Sequence, residues 1–169
     1  FSANVAPQIV STAPGSGSYV ISNTAQERVT RNVYDGAGRA RFSVDGEGYV
    51  TESRYDGLGQ EIRRIRYAAV YSVVDTDTVA TVTAKLPTTP GTTDVVEQSI
   101  YDKAGRLTQT IDGENVITLH VYDAAGRETD TAVAYGTADA STTHRVFNNA
   151  GGLIEETQAY GKPEAATTR

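Results

Sequence analysis

The chain contains no cysteine, no methionine and no tryptophan among its 169 residues, and only three phenylalanines and five prolines. Without cysteine there are no disulfide staples and no thiolate metal site, and the redox compartment stays open. Positive charge is in deficit: 15 Lys and Arg against 21 Asp and Glu leave a net charge of −6, which argues against a nucleic-acid backbone as partner. The basic residues are spread through the chain rather than gathered in a block. No apolar run approaches the roughly 18–20 residues that span a bilayer. Phe1 is neither an initiator residue nor part of a signal peptide, so the sequence is expected to be a piece of a larger polypeptide. What is present in quantity is Val, Thr, Gly and Tyr, a mixture that favours strands, in a chain long enough for one domain with a core.

One phrase recurs. Tyr34 and Asp35 are followed by Gly38 and Arg39; Tyr55 and Asp56 by Gly59; Tyr101 and Asp102 by Gly105 and Arg106; Tyr122 and Asp123 by Gly126 and Arg127. The two tyrosines within each pair are 21 positions apart, and a weaker copy stands between them, Asp45-Gly46 after Val44 or Asp112-Gly113 after Ile111. Tyr34 and Tyr101 are 67 apart, and at that offset Asp35, Gly38, Arg39, Asp45, Gly46, Glu47, Thr51, Tyr55, Asp56, Gly59 and Glu61 all meet identical residues. That is an internal duplication, the mark of a repeat protein.

A half-period of 10 to 11 residues accommodates one strand of about six or seven residues and a turn of about four, so each half-period is read as one strand and one reversal. The Asp carboxylate can accept backbone N–H groups as an Asx-turn, and the Gly supplies the positive φ that closes a type I turn with a bulge. The Tyr ring is expected to pack on the matching ring of the next hairpin, with its hydroxyl wet at the edge. The Arg after the Gly can stack on a neighbouring Tyr or pair with a neighbouring Asp.

Tyr-Asp-x-x-Gly-Arg with half-copies of the form Val/Ile-Asp-Gly-x-Gly/Asn resembles the YD-repeat, or RHS (rearrangement hot spot), family, which includes bacterial toxin-shell proteins and animal teneurins. The likeness runs from about Tyr34 to Tyr160 with an interruption at 68–100. It implies long β-hairpin strips winding into a sheet-walled shell, in many members around a C-terminal toxic domain, and a secreted or cell-surface setting. Self-cleaving members carry Asp-Pro motifs, and none occurs here, so that activity is not implied.

The expected fold is all-β, a repeat protein of antiparallel β-hairpins. Residues 1–33 are a lead-in: a short strand within Val5 to Val10 interrupted by Pro7, a loop from Pro14 to Ser18, and strands at Tyr19 to Ile21 and Arg28 to Tyr34. The first repeat pair covers 34–67. Alternation of Ala40, Phe42 and Val44 with Arg39, Arg41 and Ser43 gives it one packed face and one solvated face. Ile62 and Ile65 break period two, and a bulge near Arg63 and Arg64 would restore it. Residues 68–100 are an insertion, read as a hairpin of Val70 to Val74 and Val79 to Val82 about Asp75 to Asp77, then a mobile Pro/Thr-rich loop from Leu86 to Thr93. The second repeat pair covers 101–135. A decayed third copy fills 136–160, where Phe147, Asn148 and Gly151 replace Tyr, Asp and Gly while Gly152 replaces Arg, and 161–169 is a polar tail.

Patterns that invite chemistry each have a plainer reading. Asp45 to Glu52 copies the second half of an EF-hand loop, but Arg41 falls at the first ligand position, which disqualifies it. Asp75 and Asp77 read as a polar hairpin tip before a cation site. Gly36 and Gly38 lack the strand-to-helix context of a nucleotide loop. His120 and His144 stand alone, His120 within a strand and His144 in a polar Thr-Thr turn, with no nucleophile motif. Glu155 and Glu156 point to opposite faces of a strand. No catalytic residue, cofactor or metal is therefore expected, and the chain is not read as an enzyme. Its partners are expected to be adjacent repeats of the parent chain or other copies joined through edge strands, with an enclosed toxin domain implied by the resemblance. The alternative is an adhesion module whose Tyr-rich faces stack on glycans, or a self-assembling surface fibre.

Overall fold

The structure is a computed structural model that describes Ile9–Val10, Val20–Ile21, residues 29–161 and Ala166–Thr168. These residues form thirteen strands and one short helix, and the strands pair antiparallel. The chain divides into two compact units, Phe1–Val96 and Glu97–Arg169.

In the first unit, β1 (Ile9–Val10) pairs with β2 (Val20–Ile21). Pro7, the expected loop from Pro14 to Ser18 and Arg28 lie outside the described residues. Strands β3 (Arg31–Tyr34), β4 (Ala40–Val44), β5 (Tyr49–Tyr55) and β6 (Glu61–Val70) follow as a meander, each paired with the next. Alternation puts Val33, Phe42, Val44, Val50, Ile65 and Tyr67 on one buried face. The chain then turns back over that face: Val73 and Val82 join the same core.

Val82 belongs to α1 (Val79–Lys85), which corrects the expected second hairpin. Val and Thr read as strand formers, yet strand preference depends on context and is overridden here by a helix cap. The Thr78 hydroxyl accepts from Thr81 N at 3.3 Å while the Thr81 hydroxyl accepts from Thr78 N at 2.8 Å, a reciprocal capping box with Thr in place of the usual Glu. Asp77 meets Lys85 one helix length away at 2.6 Å. Asp75, the other half of the supposed tip, pairs with Arg31 at 2.8 Å.

The expected bulge also moves. Tyr55 faces Glu61 and Arg54 faces Arg63, so the unpaired residue is Ile62, half exposed on the outer face, while Ile65 is wholly buried. Period two holds from Arg63 to Tyr67, and a second irregularity follows where Thr51 faces Arg66 but Tyr49 faces Val70.

The second unit is built from β7 (Val95–Tyr101), β8 (Leu107–Ile111), β9 (Ile117–Tyr122), β10 (Glu128–Val133), β11 (Ser141–Phe147), β12 (Leu153–Gln158) and β13 (Ala166–Thr168), again a meander. Among its described residues only Thr157 is buried; Ile100, Val121, Val133, Leu153 and Ile154 are each about half exposed. Its described residues form a single sheet layer without a buried apolar core.

Candidate functional site

The recurring feature is the corner. At the first one, Asp35 N–H donates to Arg39 O and Gly38 N–H to Asp35 O, both 2.9 Å, while Asp35 Oδ1 accepts from the N–H groups of Ala37 and Arg39 at 2.9 and 3.0 Å. Gly38 has φ +77°, a left-handed conformation that L side chains rarely adopt. Six later corners repeat this pattern, led by Asp45, Asp56, Asp102, Asp112, Asp123 and Asn148. The left-handed residue is always the fourth: Gly48, Gly59, Gly105, Asn115, Gly126 and Gly151. In the half-copies it therefore falls on Gly48 and Asn115 rather than on Gly46 and Gly113, which occupy the second position. Asn148 shows why an amide suffices: its Oδ1 still accepts from Ala150 N and Gly152 N.

The two kinds of corner differ in one respect. At each Tyr/Phe corner the returning strand carries one extra residue: Arg41, Ile62, Thr108, Thr129 and Ile154 stand between consecutive ladder partners. At the Asp45 and Asp112 corners the ladder runs straight through, with Val44 opposite Val50 and Ile111 opposite Ile117.

The arginine links one Tyr corner to the next. Arg39 Nε donates to Asp35 Oδ2 at 2.8 Å, its Nη1 donates to Asp56 O at 3.3 Å, and its guanidinium lies 4.6 Å from the Tyr55 ring centre. Arg106 does the same with Asp102, Asp123 O and the Tyr122 ring, and Arg127 with Asp123, Asn148 O and the Phe147 ring. A guanidinium, not a second ring, covers the faces of Tyr55, Tyr122 and Phe147. Nor do the hydroxyls of Tyr55 and Tyr122 stay wet: they donate to Ala40 O and Leu107 O at 2.9 and 2.8 Å. Hydrogen bonding to the Arg39 side chain holds the Asp35 carboxyl below the ordinary range; at Asp102 and Asp123 the backbone N–H groups of Arg106 and Arg127 lead, joined by their side chains.

Where the arginine is absent, so is its target. In the two pairs within a repeat the ring stands 16 positions after the arginine; the same step from Gln60 lands at Thr76 in the inserted segment, and from Gly152 at Thr168.

A second constellation lies on the buried face of the first unit and is not announced by any motif. Glu52 is 2% exposed, and its Oε1 accepts from Arg41 Nη2 and Arg54 Nε, both at 2.7 Å, while its Oε2 accepts from the Tyr67 hydroxyl. Burial pushes this carboxyl up, but the hydrogen bonds from Arg54, Tyr67 and Arg41 outweigh it and hold the group below its usual value; the Tyr67 hydroxyl is driven up by burial and by Glu52. Glu52 was the last residue of the apparent calcium-loop half. Both of its oxygens and Asp45 Oδ1 are engaged by groups of the chain itself.

On the opposite face the duplication preserves a geometry while changing its chemistry. Glu61 accepts from the Ser53 hydroxyl and from Arg64; 67 residues on, Glu128 is bonded to His120 Nδ1 and to the Thr131 hydroxyl. At both carboxyls burial pushes up and these partners prevail, leaving the group lowered. His144 is bonded through Nδ1 to Asp130 at 2.7 Å and stacks on Tyr160 at 4.6 Å. Among the described residues no group of three or more His, Asp or Glu side chains gathers to hold a metal ion.

Residues 101–142 match the family described as RHS Repeat. No curated protein is similar to the chain at a significant level. Among solved structures, the chain is similar to the crystal structure of TcdB2-TccC3 without hypervariable C-terminal region, at TM-score 0.55 and 16% identity, covering 83% of this chain and 7% of that one. It is likewise similar to the structure of TcdB2-TccC3-TEV, at TM-score 0.57 and 15% identity with the same coverage. The chain thus spans about 7% of the length of these chains, and at such identities the likeness is one of fold. The corner chemistry and the strand meander agree with the matched segment: residues 101–142 are similar to the RHS Repeat family, and the fold of the chain is similar to that of the TcdB2-TccC3 structures.

Proposed function

We propose that this chain is a non-enzymatic section of the β-sheet wall of a large secreted YD-repeat protein, and that the wall encloses a toxin domain. The observation that carries the reading is the arginine link: Arg39, Arg106 and Arg127 each tie their own corner to the ring and carbonyl of the next Tyr or Phe corner, so the repeat's most distinctive residues are consumed in holding strand to strand. The fold likeness to TcdB2-TccC3 supports a wall. Glycan binding is disfavoured, because the ring faces that would stack on sugars at Tyr55, Tyr122 and Phe147 are occupied by guanidiniums.

A wall has an inside. Neighbours along β8, Gln109 and Thr110, point to opposite faces of one sheet, and the chain has no native cysteine. In the intact parent protein, with any cysteine elsewhere replaced, Gln109→Cys and Thr110→Cys are expected to differ at least tenfold in labelling by a bulky maleimide, and to label alike once the protein is unfolded. Equal rates in the folded parent would exclude an enclosing wall.

A further inference from the structure

The corners share one turn but differ in what holds the second carboxylate oxygen. At Asp35, Asp102 and Asp123 the guanidinium of Arg39, Arg106 or Arg127 grips Oδ2 through Nε and Nη2 at 2.6 to 2.8 Å. The Asp45 and Asp112 corners carry Tyr49 and Val116 at the arginine's place, and Oδ2 of each has no partner among the described residues.

They differ also in the residue that follows. Asp35, Asp45 and Asp112 each precede a glycine, as does Asp56, whereas Asp102 precedes lysine and Asp123 alanine. A glycine has no Cβ to shield the approach of its own nitrogen to the side chain before it. The N–H groups of Gly36, Gly46 and Gly113 have no acceptor among the described residues. Attack by such a nitrogen on Cγ must expel a carboxyl oxygen as water, which a neutral carboxyl does readily and an anion does not. An arginine fork favours the anion. Asp35 is protected in this way, and Asp45 and Asp112 are not.

Their settings separate the remaining two. Asp45 follows Val44 and precedes Val50, 2% and 1% exposed in the core of the first unit. Ile111 and Ile117, at the matching places around Asp112, are only half-buried, and both Asp112 and Gly113 are exposed. The fourth residue of this corner is Asn115 at φ +63°, where the Asp45 corner has Gly48. A left-handed backbone costs an asparagine more than a glycine. Opening of the turn, which must precede attack because Oδ1 is bonded to two N–H groups, is therefore easier at Asp112.

We infer that Asp112 is a site of spontaneous covalent modification, at which the Gly113 nitrogen closes on Asp112 Cγ to form a succinimide that reopens as aspartate or isoaspartate. The N–Cγ bond forms, the Gly113 amide hydrogen and the carboxyl OH leave as water, and a water later adds at either ring carbonyl. No oxidant or co-reactant is needed. Isoaspartate routes the main chain through the former side chain, lengthens the backbone by one carbon and takes Oδ1 from its two donors, so the reversal between β8 and β9 is lost.

The test keeps the whole chain in warm neutral buffer, with and without denaturant, and follows isoaspartate in its peptides by chromatography and mass spectrometry. In denaturant Asp35, Asp45 and Asp112 are expected to convert at similar rates. In the folded chain Asp112 is expected to convert at least tenfold faster than Asp35, with Asp45 between them. Val116→Arg, which puts an arginine where Arg39 stands in the first corner, is expected to slow Asp112 severalfold and leave Asp45 unchanged; a variant that misfolded would convert faster instead. In the converted fraction, amide exchange is expected to rise in β8 and β9 and not in β4 and β5. Equal folded rates at Asp35 and Asp112, a difference that persists in denaturant, or an Asp112 rate not slowed by Val116→Arg would each overturn the assignment.

Discussion

The two halves of this chain share a corner and differ in what lies over the sheet. In the first, the buried face carries Phe42, Val44, Val50 and Ile65, and the inserted segment folds back to add Val73 and Val82. In the second, the corresponding positions are Gln109, Ile111, Ile117 and Ala132, none buried, and nothing described covers them. The lesson is that corner chemistry is sufficient to make the meander, since the second unit keeps it with no buried apolar core among its described residues. The core is an addition to one copy, built by the insertion. A sheet layer of this kind derives its order from local hydrogen bonds and cross-strand pairs, with little apolar burial to support them.

The comparison breaks most sharply at the core. Phe42→Ala is expected to cost about 3–5 kcal/mol, because a ring 1% exposed leaves a cavity, whereas Gln109→Ala at the matching position is expected to stay within about 0.5 kcal/mol. Denaturant unfolding followed by hydrogen exchange in each unit separates the two; equal losses would dissolve the distinction. Next comes the cover. Val82→Ala is expected to cost about 2 kcal/mol in the first unit and to leave exchange in β8 to β10 unchanged.

The corners should respond alike in both halves. Asp35→Ala and Asp102→Ala each remove the carboxylate that accepts from two backbone N–H groups and pairs with an arginine, and both are expected to lower the unfolding midpoint measurably. Asp123→Asn is expected to be milder than Asp123→Ala, as Asn148 already shows an amide holding the turn. Because Asp35, Asp102 and Asp123 have carboxyls lowered in the folded state, their contribution is present above the unfolded value of about 4 and is lost as pH falls through the lower folded value. An acid titration of stability should therefore flatten in the Asp102→Asn variant. The smallest effect is expected from Arg106→Lys, which keeps the charge but loses the fork over Tyr122; its cost should be under about 1 kcal/mol at a side chain 37% exposed.

What could be seen in the letters was whatever acts over a few residues. An Asp that bonds the N–H groups two and four positions on, and a Gly that takes positive φ, need no distant partner, so the corners at Asp35, Asp56, Asp102 and Asp123 were legible in their spacing. The arginine's two options were visible as well, though not that it exercises both at once. The helix at Val79–Lys85 was hidden because its residues favour strands and its cap uses Thr81 where the common signature has Glu. The Glu52 cluster was hidden for a different reason: its partners Arg41, Arg54 and Tyr67 sit on three strands, and no spacing reveals which of several acidic residues will be buried.

The sequence by itself determined where the Asp-led corners and the Asn148 corner reverse the chain, since each is a bond between a side chain and its own neighbouring backbone. Alternation in the letters already marked which face of the first meander packs; only the tertiary structure decided what folds over it, and with it the burial of Glu52. Burial depends on what folds over a surface, and here that is a segment whose own letters spoke for another conformation.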